Sequence, residues 1–130
     1  LVLKKRFGNQ TMVVLPADHI INDSRVFFKD LLFAEKIAGS HQRLVTIGIK
    51  PRYASVGYGY IELCRRISGA HLVKRFTEKP EKKKAERFYR QGTFLWNSGI
   101  FIWETASILA ALKRHMPNLY YGLKDTLKSE

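Results

Sequence analysis

Asp18 is the first residue whose position suggests chemistry, because it shortly follows an apolar, β-branched segment typical of a buried strand, Thr11–Leu15. Mg²⁺ is bound in proteins by carboxylate oxygens and often bridges to substrate phosphates, so a carboxylate at a strand end suits this ion. The same side chain could instead cap the turn after the strand, and position alone favours the cap.

Two further segments place glycines or an amide where a strand begins. Gly57 and Gly59 stand where a loop enters a strand, and without Cβ atoms they let the backbone approach a ligand closely. A bulge or tight turn would explain both glycines equally well. Asn97, next to Trp96 in a predicted turn, offers donors and an acceptor to a hydroxylated ligand, with turn formation as the alternative.

Glu78 and Lys79 are predicted to close a strand that ends before Pro80. Adjacent residues of a strand point to opposite faces, so the two side chains would address different groups, such as a sugar diol and a phosphate. The proline biases the preceding Lys79 toward extended backbone. An exposed ion pair at a strand end remains an equally good explanation.

The composition indicates a folded, basic chain. With 45% hydrophobic and 26% charged residues, the chain can bury a core, and its net charge of +12 implies attraction to polyanions without choosing among them. The run Lys82–Lys84 at a predicted helix start opposes the macrodipole, which indicates a solvated face or a means of concentrating anions. The single cysteine, Cys64, excludes an internal disulfide and fits a reducing compartment, and no apolar run is long enough to span a bilayer.

Helix and strand signals alternate along the chain, which predicts an α/β fold with a mainly parallel sheet flanked by helices. Ligands of such sheets bind at the carboxyl ends of the strands. The predicted strands are Thr11–Leu15, Leu44–Ile49, Tyr58–Leu63, His71–Lys79 and Ser98–Trp103. The predicted helices are Leu1–Phe7, Arg25–Ala38, Glu81–Gln91, one capped by Thr105, and a last one that starts near Asn118 or Tyr120.

Four segments in this order, LPADH, GYGYIE, FTEKP and WNSGIF, resemble sugar-nucleotide pyrophosphorylases, and most closely the bacterial mannose-1-phosphate guanylyltransferases. The resemblance covers nearly the whole chain, with Thr77 where the family usually has valine. It implies a Rossmann-like nucleotidyltransferase fold of the glycosyltransferase-A type, incomplete at both ends. The family's glycine-rich nucleotide loop and second metal-binding aspartate have no counterpart here. Residues 1–130 are therefore expected to be the central part of a single catalytic domain, inactive alone.

The resemblance also implies the reaction, in which mannose 1-phosphate attacks the α-phosphorus of GTP to give GDP-mannose and pyrophosphate with Mg²⁺. By this analogy Asp18 is a catalytic metal ligand and Lys79 a catalytic residue that binds the sugar phosphate. The other substrate-binding residues that it implies are Gly57, Gly59, Glu78 and Asn97. The expected partners are GTP and mannose 1-phosphate, not nucleic acid or a membrane, in a cytoplasmic protein. Self-association into a homo-oligomer is left open.

Two alternatives stay open beside this one. The first is the same fold with another sugar specificity. The second is a basic nucleic-acid-binding module, which the charge and aromatic residues such as Tyr53, Tyr58 and Tyr60 would allow. Against the second stands the dispersal of the basic residues over several predicted elements, with no recognised nucleic-acid motif.

Overall fold

The computed structural model describes residues 1–126, and residue 41 by its backbone only. The chain divides into two compact units, one built from Leu1–Val45 with the chain from Phe101 onward, and the other from Thr46–Ile100. The helices are α1 (Val2–Phe7), α2 (Ser24–His41), α3 (Lys82–Gln91), α4 (Thr105–His115) and α5 (Pro117–Thr126). The strands are β1 (Thr11–Val14), β2 (Val45–Ile49), β3 (Tyr60–Ile67), β4 (Ala70–Thr77) and β5 (Phe94–Glu104).

In the first unit, β1 pairs with the C-terminal part of β5, from Thr11 opposite Glu104 to Val14 opposite Phe101. The pairing is antiparallel, and α2 packs next to β1. The prediction of a buried strand is wrong for the end of β1, where Val13 and Val14 are 44% and 39% exposed. Apolar sequence therefore indicated the strand but not how deeply it is covered.

Two helices of this unit, α2 and α4, begin where side chains accept hydrogen bonds from free backbone N–H groups. Asp23 caps α2, because its Oδ1 accepts from the backbone N–H groups of Arg25 and Val26 at 3.1 Å each. The start of α4 is capped from a distant part of the chain, since Asn9 Oδ1 accepts from the N–H of Ala106 at 2.9 Å. The expected cap at Thr105 is thus replaced by one from Asn9.

In the second unit, β3 and β4 form a hairpin closed by Ser68 and Gly69. Both have positive φ, 50° and 87°, as a two-residue turn between twisted antiparallel strands requires. The start of β3 pairs antiparallel with the start of β5, with Tyr60 opposite Trp96. The sequence prediction had the two strands but not the short turn that joins them.

One face of α3 covers this sheet and forms the core of the second unit. Ala85 and Phe88 of α3 are fully buried with Tyr60, Phe94 and Trp96 of the strands. The helix stops at Gly92, which takes the left-handed conformation with φ 66°. Because four large aromatic rings are buried in this contact, it contributes strongly to hydrophobic stabilisation of the unit.

The prediction of an α/β fold with helices on strands is confirmed. A mainly parallel sheet was expected, but the pairs β1–β5, β3–β4 and β3–β5 are all antiparallel. The reason is local for β3–β4, because a two-residue turn can join only antiparallel strands. None of the helices within residues 1–126 is both long and apolar enough to cross a bilayer.

Candidate functional site

The loop that leads into β3 is fixed by side chains on both sides of the glycines. The Tyr60 hydroxyl, on a fully buried ring, donates to the carbonyl of Ser55 at 2.9 Å. The Ser55 hydroxyl oxygen accepts from the N–H of Gly57 at 3.1 Å. These bonds hold the backbone of 55–60 in one path, so the glycine that follows is presented in a defined position.

Gly59 is the point where three of the predicted site residues meet. Its carbonyl accepts from the N–H of Asn97 at 2.8 Å. A Cβ placed on Gly59 would lie 2.9 Å from Glu78 Oε2 and 3.7 Å from Asn97 Cβ. The missing side chain therefore lets the Glu78 carboxylate come close to the backbone at Gly59, while the approach of a ligand to this glycine stays a prediction.

Gly57 does not share this property. A Cβ on Gly57 would meet only the hydroxyl oxygen of Ser55, at an ordinary contact distance of 3.6 Å. The structure thus gives the two glycines of the GYGYIE segment different surroundings, and only Gly59 borders the other predicted residues.

The side-chain oxygen and nitrogen of Asn97 differ in their hydrogen bonds. Its Oδ1 accepts from the N–H of Gly99 at 3.2 Å, and the Thr46 hydroxyl lies 3.2 Å from the same atom. The predicted turn is wrong, because Asn97 lies inside β5, where its acceptor oxygen is used next to Gly99, whose φ is 73°. Within residues 1–126 nothing accepts from the amide nitrogen, so its two N–H groups remain for a ligand.

Glu78 and Lys79 lie beyond the end of β4, which stops at Thr77. The prediction that they leave a strand on opposite faces is therefore wrong, and the ammonium of Lys79 lies 3.9 Å from Glu78 Oε1. Lys79 also departs from the expected extended backbone, with φ 30° directly before Pro80. Positive φ is rare in a non-glycine residue, and such residues concentrate at functional sites.

The Trp96 ring, next to Asn97 in the chain, contacts two other aromatic rings, and the sequence did not single out these three rings for the site. Trp96 is 7% exposed, and its ring lies 5.0 Å from that of Tyr53 and 4.8 Å from that of Tyr58 between centroids. The rings fix the segment around Gly57 against the start of β5. Thr46, which holds Asn97, was also missed, although a polar residue inside the apolar segment LVTIGI was a signal.

Asp18 belongs to the first unit, in a turn after β1, and is exposed. No hydrogen bond or ion pair engages its carboxylate within residues 1–126, so the turn-cap alternative finds no support. In the same part of the chain, no three His, Cys, Asp or Glu side chains gather as metal ligands. Asp18 therefore offers free oxygen donors, but not a complete metal cage.

The second unit thus presents a carboxylate acceptor at Glu78 and amide donors at Asn97 next to Gly59, with the ammonium of Lys79 beside Glu78. Hydroxyl groups pair with carboxylates and amides, while an ammonium is a compact charge that suits phosphate. A polyhydroxylated ligand that carries a phosphate matches this set of groups.

A protein-family comparison decides the class of the chain, because the model described as nucleotidyl transferase matches residues 1–130. The chain belongs to the nucleotidyl transferase family. Among curated relatives, a mannose-1-phosphate guanylyltransferase of Sinorhizobium fredii is 38% identical over 120 residues, which are 91% of this chain and 23% of the relative. The Salmonella typhimurium mannose-1-phosphate guanylyltransferase RfbM is 40% identical over 84% of this chain and 23% of its own length.

Solved structures of this family share the fold. A structure described as mannose-1-phosphate geranyltransferase from Thermus thermophilus superposes with a TM-score of 0.89 at 28% identity, over 98% of this chain and 38% of that one. One described as mannose-6-phosphate isomerase from Helicobacter pylori gives 0.78 at 33% identity, over 88% and 43%. The chain spans about a quarter of the length of the curated relatives it matches.

Glu62, the last residue of the GYGYIE segment, forms ion pairs with two basic side chains of β4. Its Oε1 accepts from the Lys74 ammonium at 2.9 Å, and its Oε2 lies 2.6 Å from Arg75 Nε. The hydrogen bond from Lys74 is the main cause that holds the pKa of Glu62 below its usual 4.5, with Arg75 acting in the same direction. Burial of the carboxylate opposes this lowering of the pKa.

We expect Glu62→Gln to lower the melting temperature at neutral pH, with an effect that shrinks in acid. A carboxyl whose pKa is lower in the folded state stabilises the fold above its unfolded pKa, and that stability is lost as pH falls through the folded pKa. Thermal unfolding of wild type and variant at about pH 7 and about pH 3 measures this change. Glu86→Gln, which alters an exposed pair with Arg90, is the control, and a Glu62 effect independent of pH would contradict the assignment.

Gly59→Ala should weaken binding of a sugar phosphate while leaving the protein folded. The new Cβ meets the free end of the Glu78 side chain, which can turn away at little cost, so the melting temperature should change little. The displaced carboxylate would raise KM for the sugar phosphate by about tenfold, the value of one charge-assisted hydrogen bond. Gly57→Ala is the matched control, and equal KM changes in both variants would contradict the special role of Gly59.

Proposed function

We propose that the protein transfers a guanylyl group from GTP to mannose 1-phosphate. A phosphate oxygen of mannose 1-phosphate forms a new bond to the α-phosphorus of GTP. The bond from that phosphorus to the oxygen that bridges to the β-phosphate breaks, and pyrophosphate leaves with the electron pair. In such a transfer the protein contributes positioning and neutralisation of charge rather than covalent chemistry.

The observation that carries this proposal is the convergence of Gly59, Glu78 and Asn97, with Lys79 beside them. Membership of the nucleotidyl transferase family and relatives named as mannose-1-phosphate guanylyltransferases support it. Relatives named for alginate and xanthan biosynthesis fit a role in supplying a nucleotide sugar for polysaccharides.

Each residue has a role in the proposed reaction that follows from its chemistry. Glu78 accepts hydrogen bonds from sugar hydroxyls, and the free amide hydrogens of Asn97 donate to the sugar. Gly59, which carries no side chain, lets the sugar approach the backbone next to Glu78. The Lys79 ammonium neutralises the phosphate that attacks GTP, and its exposed position in this chain leaves it free to meet that phosphate.

Asp18 is the described residue that would hold Mg²⁺ in this reaction. Mg²⁺ is usually bound through one or two carboxylates together with substrate phosphates, so one free carboxylate fits as a part of its ligand set. When bound, the ion would neutralise charge on the phosphates. We further propose that residues 1–130 form the central part of a single catalytic domain. We also propose a cytoplasmic location, because the single, exposed Cys64 fits a reducing compartment.

The test is a product assay with the whole protein, GTP and Mg²⁺, comparing mannose 1-phosphate with glucose 1-phosphate. We expect release of pyrophosphate and formation of GDP-mannose, with a preference for the mannose substrate. Asp18→Asn should lower kcat most at limiting Mg²⁺, and Asp30→Asn on α2 is the matched control. A preference for glucose 1-phosphate would replace mannose by another sugar, and an Asp18→Asn variant with normal turnover at limiting Mg²⁺ would remove Asp18 from the site.

A further inference from the structure

The face of α3 that points away from the core borders an open concavity of about 380 Å³. Its lining consists of Lys83, Arg87, Arg90 and Gln91. These residues follow one another on a single helix face, at spacings of four, three and one residues, whereas Ala85 and Phe88 face the core. The concavity is therefore made of other residues than the proposed sugar-phosphate site.

Three cations lie near the Phe88 ring, and one of them, Arg87, also lines the concavity. The guanidinium carbon of Arg87 and the ammonium of Lys84 each lie 5.7 Å from the ring centroid, and the guanidinium carbon of Arg75 lies 6.0 Å from it. Cation–π attraction at these distances is favourable and restrains the cations. Arg87, which lines the concavity, is thus positioned by contact with a buried ring.

In the described part of the chain, most of the positive charge on this helix face has no acidic side chain to compensate it. Among residues 1–126, Arg90 is paired with Glu86 at 3.4 Å, in an exposed pair of small energetic value, while Lys83 and Arg87 have no carboxylate within ion-pair distance. The first turn of α3 has no acidic residue, so its lysines oppose the macrodipole. Local stability does not explain this arrangement, and such departures from local preference are expected at functional sites.

We propose that this concavity binds a phosphate chain, a di- or triphosphate that is either free or the tail of a nucleotide. Its volume falls within the roughly 300–1,000 Å³ usual for small-molecule sites. From residue 83 to residue 90 the helix rises about 10 Å, long enough for several phosphates to contact successive cations. Arginine binds phosphate through two parallel hydrogen bonds, and the Gln91 amide adds a donor.

The experiment is calorimetric titration of the whole protein with inorganic tripolyphosphate at low salt. It is done in a Lys79→Ala background, so that the proposed sugar-phosphate contact does not contribute. Adding Lys83→Gln and Arg90→Gln should weaken binding about 100-fold, because each lost charge-assisted hydrogen bond is worth about tenfold. Lys113→Gln with Arg114→Gln on α4 makes the same change of net charge and should leave the affinity unchanged.

Arg87→Gln is a second variant, measured with its melting temperature because Arg87 contacts Phe88. It should also weaken binding about tenfold while the protein stays folded. Absence of tripolyphosphate binding, or equal weakening in the α4 control, would overturn the proposal. If the ligand is a nucleotide tail, the same variants should weaken binding of GTP as much as binding of tripolyphosphate. Binding of guanosine, which has no phosphate, should not depend on Lys83 and Arg90, and a dependence would overturn recognition through phosphate. No measurement here uses turnover, so the result is independent of the proposed reaction.

Discussion

Lys79→Ala is expected to lower kcat/KM for mannose 1-phosphate by about 30- to 1,000-fold, which corresponds to about 2–4 kcal/mol of transition-state stabilisation. The variant removes the ammonium proposed to neutralise the attacking phosphate. Lys79→Arg should restore little, because a planar guanidinium does not replace a compact ammonium. Steady-state kinetics with mannose 1-phosphate and glucose 1-phosphate measure the loss, and Lys113→Ala on α4 is the control.

Unchanged kcat/KM with both sugar phosphates would show that Lys79 and Glu78 are only an exposed pair. The 3.9 Å between their charged atoms adds a second expectation. Because each of these side chains influences the other, the effects of Lys79→Ala and Glu78→Gln should not add, and a double-mutant cycle should give a coupling energy of about 0.5 kcal/mol or more. Independent effects would contradict the contact seen in the structure.

Phe88→Ala should lower the free energy of unfolding by about 3–5 kcal/mol, the largest stability effect that we expect in this chain. The ring is fully buried, stacks on Phe94 with 3.9 Å between centroids, and packs against Tyr60 at 5.4 Å. Its removal loses apolar burial and leaves a cavity in the core of the second unit. Urea denaturation followed by fluorescence measures the change.

Tyr89→Ala is the matched control, because the neighbouring ring is 44% exposed and its loss removes much less buried surface. We expect the control to cost about 1 kcal/mol or less. Similar losses for the two variants would contradict the central place of Phe88 in this core.

The sequence was sufficient to locate the helices and strands, and it pointed to residues that the structure brings together. Within residues 1–126, hydrophobic periodicity and turn residues located the five strands, and the resemblance carried by the ordered motifs pointed to Gly59, Glu78 and Asn97, which the structure brings together. Local signals suffice for the strands, since apolar spacing and turn residues act within a few positions of the chain, whereas the roles of the site residues were implied only by the family resemblance. Asp18 lies in the other unit, and its role remains a prediction.

What sequence reasoning missed depends on contacts between distant residues. The hydrogen bond from Thr46 to Asn97, the cap that Asn9 gives to α4, and the antiparallel pairing of β1 with β5 all join residues far apart in the chain. The backbone of Lys79 differs because the surrounding fold overrides the bias from Pro80 toward extended φ and ψ. No short window of sequence contains this information.

The turn at Ser68 and Gly69 sets an order of events for folding. A hairpin closed by two residues forms within about 1–10 μs, since little chain entropy is lost when its ends meet. In the first unit, by contrast, β1 pairs with the end of β5, and the whole of Thr46–Ile100 lies between these two segments in the chain. Because synthesis proceeds from the N-terminus, the whole of Thr46–Ile100 leaves the ribosome before the end of β5 becomes available to β1.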